Sequence, residues 1–168
     1  MASNDRFTVE PLIGIAAPEE TGTTFEENAL EKAIYYSTFA PGLLFADDSG
    51  LEVEALAGAP GIYSSRYAGD DAANNARLLR EMEGVTNRAG RFVSVIALAE
   101  RGRLIRTFRG EVEGEILHAP RGEGGFGYDP LFWYPPFACS LAEVNAERKH
   151  AVSHRGKAMA AMLASFRK

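Results

Sequence analysis

The stretch from Arg91 to Ile116 constrains this chain most. Phe92, Val93, Val95, Ile96 and Leu98 crowd into Arg91 to Glu100, which predicts a strand. Arg101-Gly102-Arg103 then turns the chain into a second strand around Leu104 to Phe108, and a further strand is expected over Glu111 to Ile116. The hairpin is antiparallel, while helical patterns intersperse with strands elsewhere. The expected class is therefore α/β with a mixed sheet.

The remaining elements follow from local chemistry. Thr24-Phe25-Glu26-Glu27 has the form of a capping box, and Phe25, Ala29, Ala33 and Ala40 fall on one stripe of the helix it opens. Pro41-Gly42 is expected to stop that helix. Leu43 to Ala46 reads as a short buried strand, and Leu51, Val53 and Ala55 alternate with Glu52 and Glu54 as a half-exposed one. Asp70 or Asp71 caps a second helix carrying Leu78, Leu79 and Met82. After a glycine-rich loop from His118 to Pro130 come an aromatic strand, Leu131 to Tyr134, and helices around Leu141 to Arg148 and Ser153 to Phe166.

Composition narrows the function classes. A chain of 168 residues suits one domain, here 1–168. The net charge of −5 argues against a protein that coats nucleic acid. No apolar run is long enough to span a bilayer, and Met1-Ala2-Ser3-Asn4-Asp5 has no secretory pattern. Cys139 is the single cysteine, which fits a reducing cytoplasm.

Three segments hold chemistry. Asp47-Asp48-Ser49-Gly50 reads either as a plain turn between strands or as paired carboxylates for a hard cation such as Mg²⁺. Gly122 to Pro130 reads either as a structural turn or as a loop whose N–H groups approach an anion while Phe126 or Tyr128 stacks on a base. Its G-x-G-x-x-G spacing is accidental, because no helix opens inside it. In Lys149 to Arg155, Ser153 is a good N-cap that puts His154 and Arg155 in a first helical turn. Cations there oppose the helix dipole, and they make sense beside an anion or an acceptor-rich ligand.

Five blocks, in order, carry a resemblance. They are Thr21 to Ala29, Asp47 to Leu51, Gly58 to Gly69, Gly124 to Pro130, and Ala142-Glu143 through Lys149 to Arg155. The chain resembles the inosine/xanthosine triphosphate pyrophosphatase family, house-cleaning hydrolases of purine nucleotides. The resemblance implies two lobes around a nucleotide cleft, an elongated central sheet flanked by helices, a homodimer and dependence on Mg²⁺. It implies hydrolysis of ITP, dITP or XTP between the α- and β-phosphates, removing them from the nucleotide pool.

Carried over by position, Asp48 is the catalytic carboxylate and a metal ligand, with Glu19 or Glu20 as the second acidic group. Ser49 lies against the phosphates. Phe126, Gly127, Tyr128 and Asp129 form the nucleoside loop, joined by Lys149, and His154 and Arg155 reach the purine 6-oxygen. One departure stands out. Ser3-Asn4 matches the family's first turn, but Phe7 takes the place of its lysine, so a phosphate-binding segment is expected to be missing. The alternative is thus a nucleotide-binding protein of the same fold with weak or lost turnover.

Overall fold

The structure, a computed structural model, describes residues 8–166. The predicted hairpin forms its centre: β2 (Ala89–Glu100) runs antiparallel to β3 (Arg103–Ile116). Arg101 and Gly102 take positive φ, 49° and 76°, and so close the turn. The two strands expected around Leu104 and Glu111 are one, because the ladder to β2 continues through Arg109 and Gly110. β1 (Leu44–Val53) pairs antiparallel along β2, with Asp48 opposite Val95. Two short strands, β4 (Phe132–Tyr134) and β5 (Cys139–Ser140), complete a sheet of order β1-β2-β3-β4-β5. The α/β class holds, and every strand pairing among the described residues is antiparallel.

One local reading is overturned. Asp47-Asp48-Ser49-Gly50 is neither a turn nor a strand end but the middle of β1. Ladder bonds and packing outweigh the turn preference of Asp, Ser and Gly. Gly50 is required there for space. A Cβ on it would lie 2.4 Å from Gly61 O and 2.9 Å from a ring carbon of Phe25.

Each sheet face is covered by a different helix. On one, α1 (Phe25–Ser37) sets Phe25, Ala29 and Ala33 against Val93, Val95, Ala97 and Ala99. On the other, α4 (His154–Ser165) sets Ala158 and Met162 against Ile96, Leu98 and Phe108. Further along that second face, α2 (Asp71–Glu81) contributes Leu78 to a cluster with Leu51, Phe92, Tyr128 and Phe132. α1 starts as expected, with the Thr24 hydroxyl accepting from Glu27 N, but it ends at Ser37 rather than at Pro41. Ser37 Oγ donates to Ile34 O and accepts from Gly102 N, and Thr38 Oγ1 donates to Tyr35 O. Such side-chain bonds compete with continuation of the helix.

α3 (Ala146–Val152) and α4 meet at Ser153, whose Oγ accepts from Gly156 N as the predicted N-cap. The start of α4 rests directly on β3, because a Cβ at Gly110 would lie 2.1 Å from His154 O. Gly110→Ala is therefore expected to cost about 1–3 kcal/mol of stability, the scale of overpacking. Urea unfolding of the two proteins checks this, and an unchanged midpoint would show that the helix can lift away freely.

Candidate active site

Because side chains alternate along a strand, β1 presents chemistry to both faces of the sheet. Asp48 points toward α1. Its Oδ1 accepts from Lys32 Nζ at 2.9 Å and its Oδ2 from Asn28 Nδ2 at 3.3 Å. Lys32 also holds Glu20 Oε1 at 3.0 Å, and Glu20 Oε2 reaches Arg66 at 3.1 Å. Burial raises the Asp48 carboxyl above its ordinary range, and Lys32 and Asn28 offset this only in part. Burial would raise Glu20 as well, but Lys32 and Arg66 together bring it below the usual value.

Asp47 and Ser49 point the other way, toward α4. Ser49 Oγ donates to Asp47 Oδ2 at 2.9 Å, and Arg155 Nε donates to the same oxygen at 3.1 Å. The Arg155 guanidinium lies 5.4 Å from the centre of the Phe126 ring, and Lys149 Nζ lies 4.4 Å from it. Phe126 is 59% exposed, whereas Tyr128 is buried with its hydroxyl donating to Ser64 O. Of the two stacking candidates, the exposed ring is therefore Phe126. Buried Asp129 anchors this loop, accepting from Phe126 N at 2.9 Å and pairing with Lys149.

His154 does not act as a cation here, contrary to its reading as a charged group at a helix start. Its ring is buried, stacks on Phe92 at 4.8 Å, and has no hydrogen-bond partner for Nδ1 among the described residues. Burial, reinforced by the charges of Arg155 and Lys149, depresses its pKa from 6.5 to about 3. A depressed histidine favours the fold in its neutral form. Its contribution is full above pH 6.5 and is lost as pH falls from there toward about 3, where the unfolded chain takes up a proton and the fold does not. The loss is at most about 1.4 kcal/mol per pH unit. The thermal midpoint should fall over this window in the wild type and fall less steeply in His154→Gln; parallel profiles would contradict the buried neutral ring.

The residues named from sequence thus fall into two groups separated by β1. Asp48 and Glu20 lie on the α1 side, while Ser49, Phe126, Gly127, Asp129, Lys149, His154 and Arg155 gather on the α4 side. Glu19 is exposed and makes no hydrogen bond or ion pair among the described residues. The turn at Ser3-Asn4 and the position of Phe7 lie outside the described residues. Lys32 and Asn28 escaped the sequence reading, although their i, i+4 spacing beside the apolar stripe of α1 marks one helix edge.

Fold and site together define an α/β protein with a polar centre on both sides of one strand. A model of the Ham1 family matches residues 2–165. A dITP/XTP pyrophosphatase of Desulforamulus reducens is 52% identical over 151 residues, covering 87% of this chain and 75% of that protein. Another dITP/XTP pyrophosphatase, from Acidobacterium capsulatum, is 50% identical over 169 residues, covering 92% and 83%. Among solved structures, the Staphylococcus aureus Ham1 protein matches with a TM-score of 0.84 and 44% identity, covering 88% of this chain and 79% of that one. A HAM1 protein from Coxiella burnetii matches at 0.85 and 40%, covering 90% and 80%. The chain belongs to the Ham1 family.

Proposed function

We propose that this protein, acting as a single domain, hydrolyses deaminated purine nucleoside triphosphates (ITP, dITP and XTP) to the monophosphate and pyrophosphate. The observation that carries the reading is the division of labour across β1. Asp48 stands against Lys32 on one side, and the adjacent Asp47 orients Arg155 beside an exposed ring on the other. A purine stacked on Phe126 would meet Arg155, whose two Nη groups have no hydrogen-bond partner among the described residues. Those donors suit a 6-oxo group and oppose the 6-amino group of adenine.

The hydrolytic step is charge neutralisation and positioning. Water attacks the α-phosphorus, its proton passes to the Asp48 carboxylate, and the bond to the β-phosphoryl oxygen breaks to release pyrophosphate. Lys32 Nζ, beside Asp48, supplies positive charge near the phosphates. The donor set also fits Mg²⁺, because Asp48 Oδ1 and Glu20 Oε1 already converge on one cation, at 2.9 and 3.0 Å. Asp48 and Glu20 would hold the ion. When bound, it would offset charge on the triphosphate and polarise the phosphorus. Mg²⁺ commonly takes one or two carboxylates and completes its shell with water and substrate phosphates, so two carboxylates suffice.

We place the protein in the cytoplasm, as a homodimer, on the family resemblance. Among the described residues no helix is long and apolar enough to cross a membrane. The reading is tested by phosphorus NMR of the products from ITP and Mg²⁺. IMP and pyrophosphate are expected, whereas IDP and orthophosphate would place the attack elsewhere. The substitution of Phe7 for lysine favours a second reading, a nucleotide-binding protein without turnover, and ITP binding with no product at all would select it.

A further inference from the structure

The loop that carries Phe126 is gripped from outside the site. We propose that Asp71 and Asn75, one turn apart on α2, are positioning residues. They fix the Gly127 peptide groups and so set the ring that receives the base. This rests on reading Phe126 as the stacking residue.

Both backbone groups of Gly127 are held. Its N–H donates to Asp71 Oδ2 at 2.8 Å, and its carbonyl accepts from Asn75 Nδ2 at 2.8 Å. The second proton of Asn75 Nδ2 goes to Asp71 O at 2.7 Å, while its Oδ1 is buried without a partner among the described residues. Turning the amide over would set that oxygen against two carbonyl oxygens, so only one orientation works. A side chain that leaves its own acceptor buried and unpaired is holding its donors at a cost. Asp70, not Asp71, caps α2 by accepting from Ala73 N, which leaves Asp71 free for the loop.

The grip is useful because α2 is itself fixed. Asn74 donates to Ser64 O and Ser65 O, and Ser64 O also accepts from Tyr128. Ser64 Oγ accepts from Leu51 N on β1, close along the strand to Asp48. One scaffold thus registers the base loop against the strand where hydrolysis occurs. Gly127 takes a φ of 61°, a left-handed conformation that other residues resist, so the peptide is shaped as well as held.

The test uses the full chain with kcat and KM for ITP, the Kd for ITP by calorimetry and the thermal midpoint. Asp71→Ala and Asn75→Ala should each raise KM and Kd about fivefold to thirtyfold while kcat stays within about twofold, as expected for lost ground-state positioning. Asp71→Asn keeps an acceptor for Gly127 N–H and should restore both constants. Asn75→Asp cannot donate to Gly127 O and should not. Phe126→Ala serves as the reference and should raise KM at least as much, with a less than additive effect in combination with Asp71→Ala. If Phe126→Ala raises KM but the α2 variants leave it unchanged, the proposal is overturned and the site reading stands. If Phe126→Ala itself has no effect, the site reading fails and takes the proposal with it. A lower thermal midpoint with unchanged KM and Kd would mark Asp71 and Asn75 as structural only. Failure of Asp71→Asn to rescue would assign the effect to charge and overturn the hydrogen-bond account.

Discussion

Asp48→Asn is expected to lower kcat for ITP at least about a hundredfold, the scale for losing metal or general-base chemistry. The variant should keep its thermal midpoint. Burial holds the Asp48 carboxyl above its ordinary range despite Lys32 and Asn28, so the fold disfavours the charged form. An amide of the same shape still offers Oδ1 to Lys32 and removes the buried charge. Loss of turnover with an unchanged midpoint would therefore separate the chemistry of Asp48 from its part in the fold. Steady-state rates and thermal melts of the two proteins decide it. Near-normal turnover would remove Asp48 from the chemistry, while a large fall in midpoint would make it a structural partner of Lys32.

Arg155→Ala should narrow the ratio of kcat/KM for ITP over ATP by about tenfold to 150-fold, the value of one charged hydrogen bond. The guanidinium is oriented by Asp47 at its Nε, so its remaining donors are directed rather than free to sweep. A neutral His154 offers less, about 0.5–1.5 kcal/mol for an uncharged bond. Selectivity should accordingly rest more on Arg155 than on His154. The kinetic constants of Arg155→Ala on both substrates are the check. Equal losses on ITP and ATP would assign Arg155 to the phosphates.

Much of the fold was legible where a pattern is local. The Thr24 and Ser153 hydroxyl caps, the Arg101-Gly102 turn and the apolar run of β2 each depend on neighbours in sequence and formed as read, although the Glu27 carboxylate of the expected capping box accepts from Thr23. The failures share a cause. Asp47 to Gly50 has turn composition, yet it lies in β1 because β2 supplies a ladder and because Gly50 lets Phe25 and Gly61 close in. The end of α1 depends on Gly102, far along the chain, bonding to Ser37. The site divides in the same way. Asp48, Phe126, Lys149 and Arg155 stand in motifs, but Lys32, Asp71 and Asn75 meet Asp48 and Gly127 only through folding. Between Glu19 and Glu20 the sequence offers no contrast, whereas the fold pairs Glu20 with Lys32 beside Asp48.

The most direct test of the central claim is pyrophosphate release from ITP, GTP and ATP at fixed Mg²⁺, read as kcat/KM for each. ATP is the decisive competitor, because guanine shares the 6-oxygen that Arg155 is expected to contact. The account predicts that ITP exceeds ATP by at least about tenfold, the scale of one directed hydrogen bond to a charged donor. Equal values for ITP and ATP, or turnover of ATP alone, would contradict it.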